Sequence, residues 1–254
     1  MVEAAVMGMR VAVDVRGAGG RGPAGDVFAW LRFVDATFST YRPGSEISRL
    51  RRGELALRDA HPLVREVLDR CEALRGETGG FFDAGTPPDP TGLVKGWAVD
   101  RAAALLEAAG ARSYCIDAGG DVRVRGRPWR VGIRHPRRRD RLAAVVELRD
   151  GAVATSGAYE RGDHIVDPHT GRAATGALSV TVVGPDLGTA DAYATAAFAM
   201  GARGPEWTAG LGGYGAMTIL PGDRVLSTPA FMRVVAGESV AASVVDAECR
   251  LSRA

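Results

Sequence analysis

Alternating apolar and polar residues near the beginning of the chain predict a β-strand. Residues 9–15 place Val11, Val13 and Val15 on one side and small or charged residues on the other. The stretch that follows, GAGGRGPAG at 17–25, is rich in glycine and predicts a flexible turn.

Four segments repeat apolar residues at the spacing of a helix that buries one face. The last three of them end at a glycine, the residue that most readily closes a helix. The predicted helices are residues 27–38, capped by Asp26; 62–78, ended by the glycines at 79 and 80; 97–109, ended by Gly110; and about 189–200, ended by Gly201.

Shorter apolar runs between turn residues predict strands. Residues 38–50 are expected to join a helix end to an extended segment, with a turn around Pro43 and Gly44. Because helices are interleaved with mostly antiparallel strands, we expect an α+β fold organised as a single domain over residues 1–254. The predicted strands are residues 113–117, 121–125, 130–133, 143–148, 152–155, 178–183, 215–220 and 230–234.

The composition is that of an ordinary globular protein. Hydrophobic residues make up 46% of the 254 residues and charged residues 24%, and the net charge of +2 gives no reason to expect nucleic acid or a membrane surface as the main partner. The basic cluster at 127–141 is interpreted as a solvated hairpin loop. A nucleic-acid patch needs a larger stacking platform than Trp129 and His135 offer.

The expected location is the cytoplasm. No stretch of the sequence approaches the roughly 20 apolar residues that a membrane span requires. The first residues lack the basic flank and apolar run of a secretory signal. Cys71, Cys115 and Cys249 lie far apart and form no C-x-x-C pair, which indicates neither a zinc site nor a disulfide framework.

Residues 156–171 (SGAYERGDHIVDPHTG) concentrate charged side chains around one histidine. His164 stands between Asp163 and Asp167, in a segment with two turns bounded by glycine. The segment is either a solvated loop or the wall of an active site.

Residues 89–102 (DPTGLVKGWAVDRA) place a lysine at the expected beginning of a helix. A helix N-terminus offers free backbone N–H groups and partial positive charge, which suit a phosphate group, and Lys95 adds a point charge. The spacing of a P-loop is absent. A merely solvated lysine is the alternative.

Residues 117–126 (DAGGDVRVRG) turn at two adjacent glycines. Gly119 and Gly120, which follow Asp117, allow the backbone to approach a ligand closely and can aim successive N–H groups at an anion. A plain hairpin turn explains the same residues.

Residues 188–201 (GTADAYATAAFAMG) have the composition of a buried helix with one carboxylate. Asp191 and Thr195 are four residues apart and share a helix face, and their oxygens are of the kind that Mg²⁺ accepts. The alternative is an Asp placed in the first turn by the helix dipole. Together, the four stretches indicate a nucleotide-like ligand, a divalent metal and phosphoryl chemistry.

Five segments, in order along the chain, resemble the FAD:protein FMN transferases, the ApbE family. They are FSTYRPGSEISRL, GLVKGWAVDRA, DAGGDVRVRG, TSGAYERGDHIVDPHTG and SVTVVGPDLGTADAYATAAFAMG. The resemblance implies a T-fold-related α+β domain that binds FAD in a groove. It also implies Mg²⁺-dependent transfer of FMN from FAD to a Thr or Ser hydroxyl of an acceptor protein, through a phosphoester bond and with release of AMP. The acceptor is expected to carry a flavinylation motif similar to D-x-x-[ST]-G-A-[ST].

The resemblance also implies roles for particular residues. His164 is the expected base and FAD contact, with Asp163 or Asp167 orienting its ring, because a histidine with an ordinary pKa of about 6.5 suits proton transfer at neutral pH. The alternative for His164 is a residue that only holds a turn or contacts a phosphate. The other implied positions are Asp191, Thr195 and the Gly92 carbonyl as metal ligands; Lys95 near the flavin and phosphates; Asp117, Gly119 and Gly120 in the turn against FAD; and Met9 and Tyr41 beside the adenine.

Two other functions stay open at this point. An FAD pyrophosphate hydrolase, which produces FMN and AMP, needs the same metal and base. A non-catalytic flavin-binding protein needs only the groove. The chain also departs from the family after Phe82 and Asp83, where the short segment AGTPPDPTG replaces a longer apolar one on the flavin side.

Overall fold

The computed structural model describes residues 1–17, 22–158 and 165–236. Its helices are α1 (Gly22–Phe38), α2 (Glu46–Arg51), α3 (Pro62–Glu77), α4 (Thr91–Ala108), α5 (Leu187–Ala199), α6 (Gly204–Ala209) and α7 (Pro229–Met232), with 3₁₀ turns at Leu57–Asp59 and Gly201–Arg203. Its strands are β1 (Val2–Val6), β2 (Met9–Arg16), β3 (Ser113–Ala118), β4 (Asp121–Arg125), β5 (Trp129–Arg134), β6 (Leu142–Leu148), β7 (Gly151–Gly157), β8 (Val166–Asp167), β9 (Arg172–Ala173), β10 (Ser179–Gly184), β11 (Gly215–Leu220) and β12 (Arg224–Ser227).

Eight of these strands form one sheet in the order β1-β2-β3-β4-β7-β10-β11-β12. Every neighbouring pair in that order is antiparallel. The hairpins β5–β6 and β8–β9 are separate two-stranded ribbons. The α+β fold with a mostly antiparallel sheet is therefore confirmed, and the single domain over residues 1–254 stays a prediction.

The sheet buries a different core on each face, because successive side chains of a strand point to opposite sides. Val13, Ile116 and Val180 belong to the larger core, together with α1, α3, α4 and α5. Val122 and Met217 belong to the smaller core, together with the β5–β6 ribbon and α7. The ribbon confirms the hairpin predicted for the basic cluster. Its tryptophan is buried beneath the Arg127 guanidinium and offers no stacking platform.

Helix α4 begins earlier than the sequence indicated, so Lys95 lies inside the helix and not before it. The Asp89 carboxylate accepts hydrogen bonds from the backbone N–H and hydroxyl of Thr91, at 3.1 and 2.6 Å, and this satisfies the first N–H group of the helix. Gly92 and Gly96 argued against a helix here, because glycine weakens a helix interior. Both are explained by packing, because an added Cβ would stand 3.1 Å from the Phe82 ring at Gly92 and 2.6 Å from a backbone oxygen of Leu187 at Gly96.

Three other predictions about the elements were wrong. Asp26 lies within α1, which begins at Gly22 with Pro23 in its first turn, where proline is well tolerated. The segment after Phe38 contains α2, capped by the Ser45 side chain, which accepts the Ser48 N–H. Residues 229–232 form a helix, because Thr228 caps it and Pro229 begins it; the last strand is β12 instead.

In the part of the chain that the structure describes, no helix is long and apolar enough to cross a membrane.

Candidate active site

Helices α4 and α5 lie in direct backbone contact at two glycines. A Cβ atom added at Gly96 would stand 2.6 Å from the carbonyl oxygen of Leu187, and one added at Gly188 would stand 3.2 Å from the backbone nitrogen of Trp97. Only residues without a side chain permit this approach. Gly96, one of the two glycines that obscured α4 in the sequence, is thus required for helix–helix packing.

A carboxylate on α4 fixes the beginning of α5. Asp100 accepts hydrogen bonds from the backbone N–H groups of Leu187 at 2.9 Å and Gly188 at 2.8 Å. From Asp100 back to Lys95 on α4, the contacts advance along α5 from Leu187 to Asp191. The two helices therefore run antiparallel, and the N-terminal half of α4 lies beside Asp191.

Lys95 is the centre of a charged cluster formed by three elements. Its ammonium contacts Oδ2 of Asp121, the first residue of β4, and lies 3.6 Å from Oδ2 of Asp191 on α5. The side chains of Asp121 and Asp191 are only 2% and 5% exposed, whereas that of Lys95 is 27% exposed. Two buried carboxylates thus share a cation that still reaches the surface, which is how buried charges are usually accommodated.

The sequence analysis did not identify Asp121 as a site residue. Its second oxygen, Oδ1, accepts the backbone N–H of Thr155 on β7 at 3.1 Å, so the carboxylate is held by the sheet. The sequence did contain a signal for it: Asp121 begins a strand and lies on the face that packs on the helices. A carboxylate buried there needs a cationic partner.

The predicted pair Asp191 and Thr195 lies at this cluster, on a largely buried helix. The Thr195 hydroxyl is 3.0 Å from the hydroxyl of Ser156 on β7, a further polar residue that the sequence analysis did not single out. Gly92 lies one turn before Gly96 on α4, and by the antiparallel packing it falls on the Asp191 side of the helix pair. Its helical carbonyl oxygen keeps a second lone pair.

These groups fit a hard divalent cation in their chemistry. They are one carboxylate, hydroxyls and a backbone carbonyl, which are the donors that Mg²⁺ accepts. The Asp191 carboxylate already faces a positive charge, that of Lys95. Within residues 1–17, 22–158 and 165–236, no group of three or more His, Cys, Asp or Glu side chains could hold a metal ion.

The β3–β4 turn forms the hairpin that its two glycines allow. Gly119 and Gly120 have positive φ values of 65° and 95° and form a two-residue hairpin between Ala118 and Asp121. Their N–H groups are already donated within the protein, from Gly119 to the Arg10 carbonyl at 3.2 Å and from Gly120 to Asp117 at 2.8 Å. The hairpin interpretation therefore accounts for both N–H groups in this structure, and a role of the turn in ligand binding stays a prediction.

The same turn brings Met9 and Gly119 together. A Cβ atom added at Gly119 would stand 3.2 Å from the Met9 sulfur, so the thioether lies directly against the glycine backbone. Burial raises the pKa of the neighbouring Asp117 carboxyl, and the Asp121 charge raises it further, against the hydrogen bond from Gly120. Met9 and Gly119 thus pack together at the turn that leads into Asp121.

Tyr41 does not join this arrangement in the structure. The side chain of Tyr41 is 93% exposed in the loop after α1, so its ring packs against none of these groups. His164 and Asp163 lie outside the described residues. Asp167 is described, and its carboxylate accepts a hydrogen bond from the backbone N–H of His169 at 2.9 Å. This bond stabilises the turn in which Asp167 itself lies.

His169 attaches the β8–β9 hairpin to the loop after α3. Its ring meets Phe81 edge-on at 4.5 Å between centroids, and its Nε2 lies 3.0 Å from the carbonyl oxygen of Gly79. This contact fixes the end of the 156–171 segment that the structure describes.

At this helix pair, the pKa of Asp100 is raised clearly above the ordinary value of an aspartate. Burial raises its pKa to about 6, against the hydrogen bonds from Leu187 and Gly188 and the nearby Arg123, 3.4 Å away. Protonation of Asp100 therefore falls near the physiological range, at the residue that positions the start of α5.

Comparisons with known proteins agree with one another. A family model described as "ApbE family" matches residues 7–88 and 85–218. The chain is 32% identical over 219 residues to a protein of Rhodobacter capsulatus named FAD:protein FMN transferase, covering 81% of this chain and 39% of that protein. It is 37% identical over 128 residues to a protein of the same name from Vibrio cholerae, covering 44% of this chain and 38% of the relative. The chain thus spans less than half the length of these relatives.

A solved structure shares the fold. The crystal structure of the ApbE protein from Thermotoga maritima superimposes with a TM-score of 0.84, covers 93% of this chain and 99% of that one, and has 23% sequence identity.

Proposed function

Because the chain belongs to the ApbE family, we propose that it transfers the FMN part of FAD to a Thr or Ser hydroxyl of an acceptor protein. The observation that carries the proposal is the buried carboxylate of Asp191, which faces the Lys95 ammonium at 3.6 Å and shares a helix with Thr195. This is a place built for positive charge beside hydroxyl groups, as a pyrophosphate substrate requires.

In this proposal, Asp191, Thr195 and the Gly92 carbonyl hold Mg²⁺. When bound, the metal withdraws charge from the pyrophosphate oxygens and makes AMP a better leaving group. The antiparallel packing of α4 on α5 holds these oxygens in place, and its closest points are Gly96 and Gly188. Correct positioning supplies much of the rate in phosphoryl transfer.

Lys95 supplies a second positive charge. Its ammonium is partly exposed and sits on a flexible stem, so it can reach a phosphate oxygen while its charge stays close to Asp121. In this proposal, Met9 and the turn formed by Asp117, Gly119 and Gly120 lie against a ring of the substrate; the Met9 thioether already packs on Gly119, which carries no side chain.

The proposed reaction exchanges one P–O bond for another. The acceptor hydroxyl oxygen attacks the phosphorus of the FMN half, a P–O bond to the acceptor forms, and the P–O bond to AMP breaks. The hydroxyl proton must go to a base. The sequence assigns that base to His164, which lies outside the described residues, so this role stays a prediction. A cytoplasmic location also stays a prediction.

Product analysis tests the proposal against its alternatives. The protein is incubated with FAD and Mg²⁺, with and without an acceptor domain that carries a D-x-x-[ST]-G-A-[ST] motif, and AMP and FMN are separated by chromatography. We expect AMP to appear with the acceptor and free FMN to stay low. Equal amounts of AMP and free FMN without acceptor would identify a hydrolase, and bound but intact FAD would identify a binding protein.

A further inference from the structure

The Lys95 ammonium occupies a position that competes with a metal ion. It lies 3.6 Å from the Asp191 carboxylate, and two cations cannot share that oxygen without strong repulsion. Any divalent cation bound by Asp191 must therefore coexist with a lysine that is already attracted to the same group.

Asp121 offers the lysine a second partner in a fixed place. Its Oδ2 contacts the Lys95 ammonium, and its Oδ1 is held by the Thr155 N–H at 3.1 Å. Because β4 is paired with both β3 and β7, this carboxylate cannot follow the lysine, whereas the four-carbon stem of Lys95 can turn towards it.

We propose that Asp121 is a positioning residue that holds the Lys95 ammonium away from Asp191 and so keeps the Asp191 carboxylate available to a divalent cation. The inference rests on the metal site of the proposed function. It goes beyond that function by assigning to Asp121, which touches neither metal nor substrate in this account, control over how tightly the metal binds.

The proposal predicts opposite effects for two neutralising substitutions. Asp121→Asn keeps the shape of the side chain and its acceptor for Thr155, but it releases Lys95 towards Asp191. Lys95→Gln removes the competing charge and leaves a donor for Asp121. We expect Mn²⁺ to bind about 10-fold more weakly to Asp121→Asn than to the unaltered protein, and about 10-fold more tightly to Lys95→Gln.

The experiment is a titration of Mn²⁺ followed by electron paramagnetic resonance of the free ion, in the absence of FAD, so that activity is not the readout. Glu107→Gln is the matched control, because it also removes one carboxylate that pairs between α4 and β4, but at the distant, exposed end. Its dissociation constant for Mn²⁺ should equal that of the unaltered protein.

The double variant distinguishes an effect of Asp121 through Lys95 from a direct effect of the Asp121 charge on the metal. If Asp121 acts through Lys95, then Asp121→Asn changes the dissociation constant by less than about 3-fold in the Lys95→Gln background. An equal factor in both backgrounds would show that Asp121 acts by its own charge, and it would overturn the inference.

The remaining outcomes are also decisive. Unchanged affinity in Asp121→Asn, with Mn²⁺ bound by the unaltered protein, overturns this inference alone. Absence of Mn²⁺ binding to the unaltered protein overturns the proposed metal site and this inference with it. If Asp121→Asn does not fold, Lys95→Gln decides: tighter binding supports the inference, and unchanged or weaker binding contradicts it.

Discussion

The two ends of the α4–β4 interface use the same type of contact for different purposes. At the far end, Glu107 pairs with Arg125 where both side chains are substantially exposed. At the near end, Lys95 pairs with Asp121 where the carboxylate is buried and a second buried carboxylate, Asp191, lies close. The sense of charge is also reversed, since the helix supplies the acid at one end and the base at the other.

In the proposed function, the exposed pair serves only to attach the helix to the sheet, whereas the buried pair takes part in the chemistry. Exposed pairs contribute little to stability because water screens them. Buried charges are costly unless they are paired, and we propose that this cluster of three is retained because its charge is used. Asp100, which pairs with Arg123, lies between the two ends and is partly buried.

The largest expected effect is at the near end. Asp191→Asn removes the only carboxylate among the proposed metal ligands, and we expect FMN transfer to fall by about 100-fold or more. The rate of AMP release with acceptor present checks this. A variant that folds normally and keeps more than about a tenth of the activity would contradict the assignment of Asp191.

In the middle of the interface, the contribution of Asp100 to stability should depend on pH. The folded pKa of Asp100 is raised to about 6 by burial, above the unfolded value of about 3.9. Its contribution to stability is therefore present below about pH 4 and is lost as the pH rises through about 6. Because the folded and unfolded pKa values differ by about 2, and the side chain is 24% exposed, the loss amounts to at most about 3 kcal/mol.

Denaturant unfolding of the unaltered protein and of Asp100→Asn between pH 4 and pH 7 measures this effect. The free energy of unfolding of the unaltered protein, relative to the variant, should decrease over this range. Glu107→Gln gives the opposite sign: burial raises the pKa of Glu107, but the hydrogen bonds from Tyr114 and Arg125 lower it by more. If the stability contributions of both carboxylates changed with pH in the same direction, the contrast between them would be contradicted.

A smaller loss of stability is expected at the helix crossing. Gly96→Ala places a Cβ 2.6 Å from a backbone oxygen of Leu187, so α4 and α5 must move apart, and we expect a loss of about 1–3 kcal/mol. Gly76→Ala in α3 is the matched control, because nothing lies within 4 Å of its added Cβ. Alanine should stabilise that helix by about 0.4–1 kcal/mol. Equal effects at the two glycines would show that the close crossing does not matter.

The smallest effect is expected at the far end. Glu107→Gln breaks the pair with Arg125 but leaves no buried charge alone, so the unfolding temperature should fall by no more than about 2–4 °C at neutral pH. FMN transfer should stay unchanged. A large loss of transfer activity in this variant would mean that the two ends are not functionally distinct.

The sequence predicted elements well where local signals agree with tertiary packing. The bounds of β4 were correct, because the Gly119-Gly120 turn and the alternation after it specify the hairpin. The beginning of α4 was missed because Gly92 and Gly96 disfavour a helix locally. Gly96 is needed for the close contact with α5, far along the chain, which no local pattern contains.

The candidate site was predicted in part for the same reason. Asp191 and Thr195 share a helix face by their spacing alone, and the structure places them at the cluster. Asp121 was missed because its partners come from α4 and from β7, both distant in sequence. Tyr41 was associated with the site by resemblance only, and its ring is exposed.

The central claim is that this chain attaches FMN covalently to a protein through chemistry at the Lys95–Asp121–Asp191 end of the interface. Intact-mass spectrometry of the acceptor domain after incubation with FAD, Mg²⁺ and either the unaltered protein, Asp191→Asn or Glu107→Gln tests it most directly. We predict a gain of one FMN with the unaltered protein and with Glu107→Gln, and none with Asp191→Asn. An acceptor that stays unmodified by the unaltered protein, or that Asp191→Asn modifies equally, would contradict the account.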